Sequence, residues 1–233
     1  MPLPSRVSDA PVTGTPARSI FYLHGFASSA KSTKAAYLGD RLREHGLTLH
    51  CPDFNDPEFA TLTLTRMLDQ LDREMAAVAT AADLPAALIG SSLGGSLAIL
   101  AASSFGARVD RLVLLAPAVM LAKGDHHLLP PDRIAEWRRL GRLPFFHYAD
   151  NAERLLNFTF YEDSFRYNPF DAAFSQRTLI FQGTNDTSVD PRTVEAFARV
   201  RPNVTLSRLD DDHQLTKSLP DIWDGVSAFL EVK

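Results

Sequence analysis

The segment Gly90-Ser91-Ser92-Leu93-Gly94, followed by Gly95, holds the sharpest chemical signal in this chain. It satisfies G-x-S-x-G, a turn so tight that the residues two before and two after the serine have no room for side chains. Only Ser92 has glycine at both of those positions, because Ser91 has Ile89 and Leu93 there. An apolar run ends at Gly90 and a helical pattern begins near Ser92, so the turn joins a strand to a helix. Such a turn lifts a hydroxyl above a sheet edge and aims a helix N-terminus at a reacting carbonyl. The chemistry expected of Ser92 is nucleophilic acyl transfer.

A serine of this kind needs a histidine base, a carboxylate to orient it, and two N–H donors for the developing oxyanion. The acid and then the histidine are expected after the serine. Past the apolar run Thr178–Phe181 comes Gln182-Gly183-Thr184-Asn185-Asp186, a strand-end turn that offers Asp186 as the acid. Asp190 competes with it, but precedes Pro191 and reads as a helix cap. His213, the only histidine after His147, lies in Asp210-Asp211-Asp212-His213-Gln214 and is the expected base. Asp210 and Asp211 are expected to face solvent. His24-Gly25-Phe26-Ala27 follows the first apolar run, so the backbone N–H groups of Phe26 and Leu93 are the expected oxyanion donors. His24 is expected to hold that loop by hydrogen bonding.

The elements that position these residues follow from periodicity. Ser19–Leu23, Ala86–Ile89, Arg111–Leu115 and Thr178–Phe181 are continuous apolar runs, as strands covered on both faces require. Leu47–Cys51 and Val204–Leu209 are weaker strand candidates. Helical spacing links Ala35, Leu38 and Leu42, then Leu64, Met67, Leu68, Leu71, Met75 and Val78, then Leu93, Leu97, Leu100 and Ala101. Val194 with Phe197, and Ile222, Val226 and Phe229, mark two more helices. Strand–helix alternation predicts an α/β fold, a mostly parallel sheet with helices on both faces. Residues 1–17 read as a loosely ordered leader, and 18–233 as one domain.

Roughly sixty residues separate the strand ending near Leu115 from the one beginning near Thr178, too many for a simple connection. Ten of the twenty Phe and Tyr residues fall in Pro144–Phe174, after a helix expected around Asp132–Leu140. The stretch 118–174 is read as an inserted cap. Most of its aromatics are expected to pack the cap onto the sheet; Phe145, Phe146, Tyr148, Phe158 and Phe160 are candidates to line a substrate pocket.

Together these motifs resemble the α/β-hydrolase superfamily, from about Arg18 to the C-terminus. Tyr22-Leu23-His24-Gly25-Phe26-Ala27-Ser28-Ser29, followed by Lys31, Ser32 and Lys34, is similar, with Gly90–Gly95, to the small bacterial YqiA-type esterases. Members of that group are compact, so the aromatic insertion is a departure that bears on substrate size. An ester is expected because it leaves more easily than an amide and the cap is apolar, with a short or medium acyl chain. Thioesters, amides and peptides are served by the same constellation. No metal or organic cofactor is needed.

Composition narrows the rest. A formal charge of −4 without a Lys/Arg block argues against nucleic acid, and no apolar run approaches a membrane span. The single cysteine, Cys51, excludes an internal disulfide, reads as buried filler and fits a reducing, cytoplasmic compartment. Two readings of other classes remain: a non-catalytic ligand-binding module, and nucleotide binding through Gly25–Ser32. That segment misses G-x-x-x-x-G-K-[ST] only by Ala30 where the second glycine belongs. It also contains the S-x-x-K spacing at Ser28–Lys31, without the partner motifs of serine–lysine acylases. Ser28 or Ser29 is therefore expected to cap the following helix, with Lys31 in solvent. Asp125-His126-His127 lacks a third metal ligand at a compatible spacing.

Overall fold

In the computed structural model, which describes residues 19–78, 84–121 and 129–232, the strand Ala86–Ser91 is buried throughout. Its side chains alternate between two cores, Ala86 and Leu88 on one face of the sheet and Ala87 and Ile89 on the other. A strand flanked in this way must be apolar at every position, which is why its sequence does not alternate.

The chain runs β1 (Ile20–Leu23), α1 (Thr33–Glu44), β2 (Leu49–His50), α2 (Leu64–Val78), β3 (Ala86–Ser91), α3 (Leu93–Phe105) and β4 (Val109–Leu115). It continues through α4 (Pro131–Leu140), β5 (Arg142–His147), β6 (Ala152–Asn157), α5 (Thr159–Ser164), β7 (Arg177–Gly183), α6 (Pro191–Arg199), β8 (Val204–Leu209) and α7 (Leu219–Leu230). Six strands form one parallel sheet in the order β2-β1-β3-β4-β7-β8. The α1 residues Ala35, Leu38 and Leu42 share a core with Ile222, Val226 and Leu230 of α7, while residues of α2, α3 and α6 fill the other face. The sheet is the expected one. Because β1 is followed by β2 on one side and β3 on the other, the crevice beyond the C-terminal ends of β1 and β3 is a switch point, where open α/β sheets bind ligands.

Three local expectations change. The Leu47–Cys51 strand shortens to Leu49–His50. Neither Ser28 nor Ser29 caps α1: the Ser32 hydroxyl accepts the Ala35 N–H, while that of Ser29 accepts the Lys31 N–H two residues on. Cys51 is only partly buried, and burial pushes its thiol up to about 11. The leader and Asp125-His126-His127 lie outside the described residues. Among those described, no helix is long and apolar enough to cross a membrane, and no group of three or more His, Cys, Asp and Glu could hold a metal ion.

Between β4 and β7, α4 and α5 flank an antiparallel hairpin of β5 and β6 that periodicity does not reveal. Trp137 of α4 is fully buried, donates its indole N–H to the Leu156 carbonyl at 2.8 Å, and packs against Phe145 and Phe158. Polar ties fasten the segment to the rest. Asp163 of α5 accepts the backbone N–H and the hydroxyl of Thr65 in the first turn of α2, and the Tyr148 N–H donates to the Ala27 carbonyl at 2.8 Å.

Candidate active site

The turn after β3 is shaped by backbone collisions. A Cβ on Gly90 would lie 2.3 Å from the Gly94 carbonyl oxygen, and one on Gly95 would lie 2.7 Å from the Pro117 Cβ. Ser92 between them has φ 52° and ψ −115°, a conformation costly for a residue with a side chain. The strain raises its hydroxyl over the sheet's C-terminal edge. Gly25 comes up from the β1 end, and a Cβ there would be 3.3 Å from the Ser92 Cβ. Glycine at position 25 thus serves close approach to the serine turn.

Two further strand ends bring up the expected acid and base. Asp186 follows β7; its side chain is fully shielded from solvent, and its carboxylate is completely engaged. One oxygen accepts the backbone N–H groups of Ser188 and Val189, both at 2.8 Å; the other accepts the Gln182 amide at 2.9 Å and His213 Nδ1 at 2.8 Å. Burial alone would raise its pKa, but these bonds, with His213 the strongest, hold it below the usual carboxylate range. With Nδ1–H donated to Asp186, the Nε2 lone pair of His213 faces the Ser92 hydroxyl, 3.1 Å away. The three side chains form one continuous hydrogen-bonded line.

The loop carrying His213 differs from expectation at one residue. Asp210 is exposed and meets Lys217, but Asp211 is buried. Its two oxygens accept the N–H groups of Asp212 and Ser218 at 2.8 and 2.9 Å, and its carbonyl accepts the Asn185 N–H. A carboxylate that caps its own loop gains more from these amides than from water. The loop is thereby tied to the turn that carries Asp186.

At the other side, Leu93 opens α3, so its N–H has no acceptor within the helix. Phe26 N–H belongs to the loop that Gly25 presses against Ser92. His24 holds this loop: Nδ1 bonds the Gly25 carbonyl at 2.9 Å and Nε2 accepts the Phe54 N–H at 3.0 Å. Asn55 adds a bond from its side-chain amide to the Ser28 carbonyl at 2.8 Å.

Above the line opens a cavity of about 930 Å³ reached by Ser92, His213, Phe26 and Leu93. Of the five aromatics singled out in the intervening segment, Phe160 and Tyr148 line it. Phe145 and Phe158 instead pack on Trp137 in the core, and Phe146 is half exposed against Tyr148. Their aromatic character serves the segment's own packing, where a flat ring fills more area than a chain can. Met120, Leu121 and Val189 complete an apolar wall that no motif announced. Gln182 and Lys34 were also missed. A polar residue inside an otherwise apolar strand end was the available sign for Gln182; an amphipathic lysine one position before the apolar face of α1 gave none.

Residues 19–231 match the model of a family described as "Uncharacterised protein family (UPF0227)". No curated protein matches the chain. Among solved structures it is similar to Est1E from Butyrivibrio proteoclasticus, seen with ferulic acid bound, at 21% identity and a TM-score of 0.78, covering 93% of this chain and 89% of that one. It is similar to the alpha/beta hydrolase domain-containing protein 10 from mouse at 18% identity and 0.73, covering 94% and 90%. A monoacylglycerol lipase from Paleococcus ferrophilus matches at 15% identity and 0.72, covering 92% and 95%. These likenesses show the α/β-hydrolase fold.

Proposed function

We propose that this chain, which belongs to the UPF0227 family, is a serine hydrolase of carboxylic esters acting through Ser92, His213 and Asp186. The observation that carries this is the hydrogen-bonded line itself, Asp186 to His213 Nδ1 at 2.8 Å and His213 Nε2 to Ser92 Oγ at 3.1 Å.

In the first half-reaction Ser92 Oγ attacks the ester carbonyl carbon while His213 Nε2 takes the hydroxyl proton. Asp186 holds the imidazole and stabilises the imidazolium as it forms. The carbonyl electrons move to oxygen, and the N–H groups of Phe26 and Leu93 receive that oxyanion. Collapse breaks the bond to the alcohol oxygen, which leaves with the proton from His213. Water then repeats the sequence on the acyl-enzyme, returning Ser92 and releasing the acid. No metal or organic cofactor enters any step.

Residues 118–174 serve as the cap. Phe160 and Tyr148, with Met120, Leu121 and Val189, give the cavity an apolar wall suited to a short or medium acyl chain. The solved neighbours named as Est1E with ferulic acid bound and as a monoacylglycerol lipase are in keeping with an ester substrate. A small-molecule ester and a cytoplasmic setting complete the assignment, the latter in keeping with the free thiol of Cys51.

The test is a rate profile over p-nitrophenyl esters of increasing chain length, with a fluorophosphonate label on the same preparations. Ser92→Ala is expected to lose on the order of 10⁶ in kcat and all labelling. Equal hydrolysis by wild type and Ser92→Ala would dismiss the assignment.

A further inference from the structure

The cavity above Ser92 has two unlike walls. Opposed in character to the apolar one is a wall from the start of α1 and the His213 loop: Ser28, Lys31, Thr33, Lys34 and Thr216 all reach it. Lys34 is the unusual member. Only 8% of it is exposed, yet its ammonium has no carboxylate within ion-pair distance among the described residues. Among the described residues its one partner is the Gln214 carbonyl, at 2.8 Å, a single acceptor for a group with three N–H donors. A buried cation whose hydrogen bond goes to a neutral carbonyl is costly, and burial pulls its pKa down to about 8 against the upward pull of Asp212, Asp211 and Asp186. Lys31, exposed at the cavity's edge, adds a second positive charge. Asp190, the lining's one carboxylate among the described residues, is already committed to the Arg192 N–H at the start of α6.

From this we infer that the polar wall is an oxyanion-group subsite, and that the substrate is an ester whose alcohol portion carries a carboxylate or phosphate held by Lys34 and Lys31. The inference rests on the serine-hydrolase assignment. The side of the ester follows from the position of Lys34. Its ammonium is bonded to the residue directly after His213, and His213 is the group that hands a proton to the departing alcohol. The alcohol therefore leaves along the lysine wall, and the acyl chain lies toward Phe160, Met120 and Leu121. The hydroxyls of Ser28, Thr33 and Thr216 supply further donors along that wall.

The test compares kcat/KM for three butyrate esters of matched short alcohols, ending in a hydroxyl, a carboxylate or a phosphate, and sets beside them a methyl half-ester whose carboxylate lies on the acyl side. Wild type is expected to favour at least one anionic ester by on the order of ten- to a hundredfold, as one charge-assisted hydrogen bond allows. The favoured member tells carboxylate from phosphate. Lys34→Met is expected to collapse that ratio, and Lys31→Ala, an exposed change that leaves the fold alone, to reduce it severalfold. Three outcomes overturn the inference: equal Ser92-dependent turnover of all three esters, a Lys34→Met enzyme slowed alike on all three, or a preference for a methyl half-ester with its carboxylate on the acyl side. If wild type turns over none of the esters in a Ser92-dependent way, the hydrolase assignment falls as well.

Discussion

A Cβ on Gly94 would lie 1.9 Å from the carbonyl oxygen of Leu23, the last residue of β1. The helix that follows Ser92 is thus seated directly on the strand that leads to the Phe26 loop. Gly94→Ala must push α3 and β1 apart, in a core with no slack, and is expected to cost about 3 kcal/mol or more. For a chain of this size that lowers Tm by roughly 6–12 °C. Fluorophosphonate labelling should fail with it, since Ser92 and the Phe26 loop lose their register. Gly39→Ala in α1 is the control. Its Cβ would meet only Leu49 side-chain atoms, at 3.8 Å and beyond, and replacing a helical glycine is worth about 0.5–1 kcal/mol, so Tm should rise slightly. Thermal unfolding of both variants checks the contrast.

Asp186→Asn separates charge from geometry. An asparagine has one oxygen, and the N–H groups of Ser188 and Val189 already claim the one facing them. Its NH₂ group must then face His213 Nδ1, which forces the imidazole to accept there and to carry its proton on Nε2. A base protonated on Nε2 has no lone pair for Ser92. kcat is expected to fall by about 10⁴ with KM little changed. Steady-state kinetics on a p-nitrophenyl ester decide it; a loss below tenfold would mean that Asp186 is dispensable.

What the residues disclose in advance depends on how many side chains satisfy each site. Gly90 and Gly94 stand where backbone meets backbone, so glycine is required and the turn around Ser92 is legible. Ser92, Asp186 and His213 each follow a strand that reads as continuous or alternating apolarity, so their common edge follows from the strand pattern. Asp211 is different. Its sequence neighbours are charged, and only the folded loop shows that two backbone amides converge on it. The β5–β6 hairpin is hidden because Leu143 and Leu156 pack inward while Phe146 and Leu155, equally apolar and on the opposite face, are exposed, which blurs the two-residue period. Lys34 is buried from a helix position that pattern assigns to solvent.

Asp211 gives a pH-dependent signature. Burial would raise its pKa, but the N–H groups of Asp212 and Ser218 hold it below the usual carboxylate value. A group whose folded pKa is depressed stabilises the fold above its unfolded pKa, about 3.9 for Asp, and loses that contribution as pH falls through the folded value. Asp211→Asn is therefore expected to lower Tm by about 2–6 °C at pH 7, with the gap to wild type closing below about pH 4. Scanning calorimetry at both pH values tests the sign. A gap that widened in acid would contradict the assignment.

The same logic dates the loss of the anion subsite. With its ammonium brought down to about 8, Lys34 is charged at pH 7 and increasingly neutral by pH 9. Asp186 and Asp211, both held below the usual carboxylate range, remain ionised across that range. The preference of wild type for an anionic over a neutral ester should thus decline through about pH 8, while Lys34→Met shows a flat ratio. Since both esters share the same catalytic machinery, taking the ratio cancels any pH dependence common to the two reactions. A wild-type ratio constant from pH 6.5 to 9.5 would remove Lys34 from substrate recognition.

Ser92 itself carries strain that its chemistry requires. At φ 52° and ψ −115° a side chain crowds its own backbone, at a cost of order 1–3 kcal/mol, whereas glycine adopts positive φ freely. Ser92→Gly relieves the crowding and gives back about 0.5–1 kcal/mol through the greater freedom of the unfolded chain. The balance favours the variant, by a rise in Tm of about 2–4 °C in an enzyme without a nucleophile. Ser92→Ala keeps the Cβ and the strain, so it should lose activity without that gain. Unfolding curves of the two variants beside wild type isolate the backbone contribution from that of the lost hydroxyl, and a glycine variant less stable than the alanine one would show that the turn is held without strain.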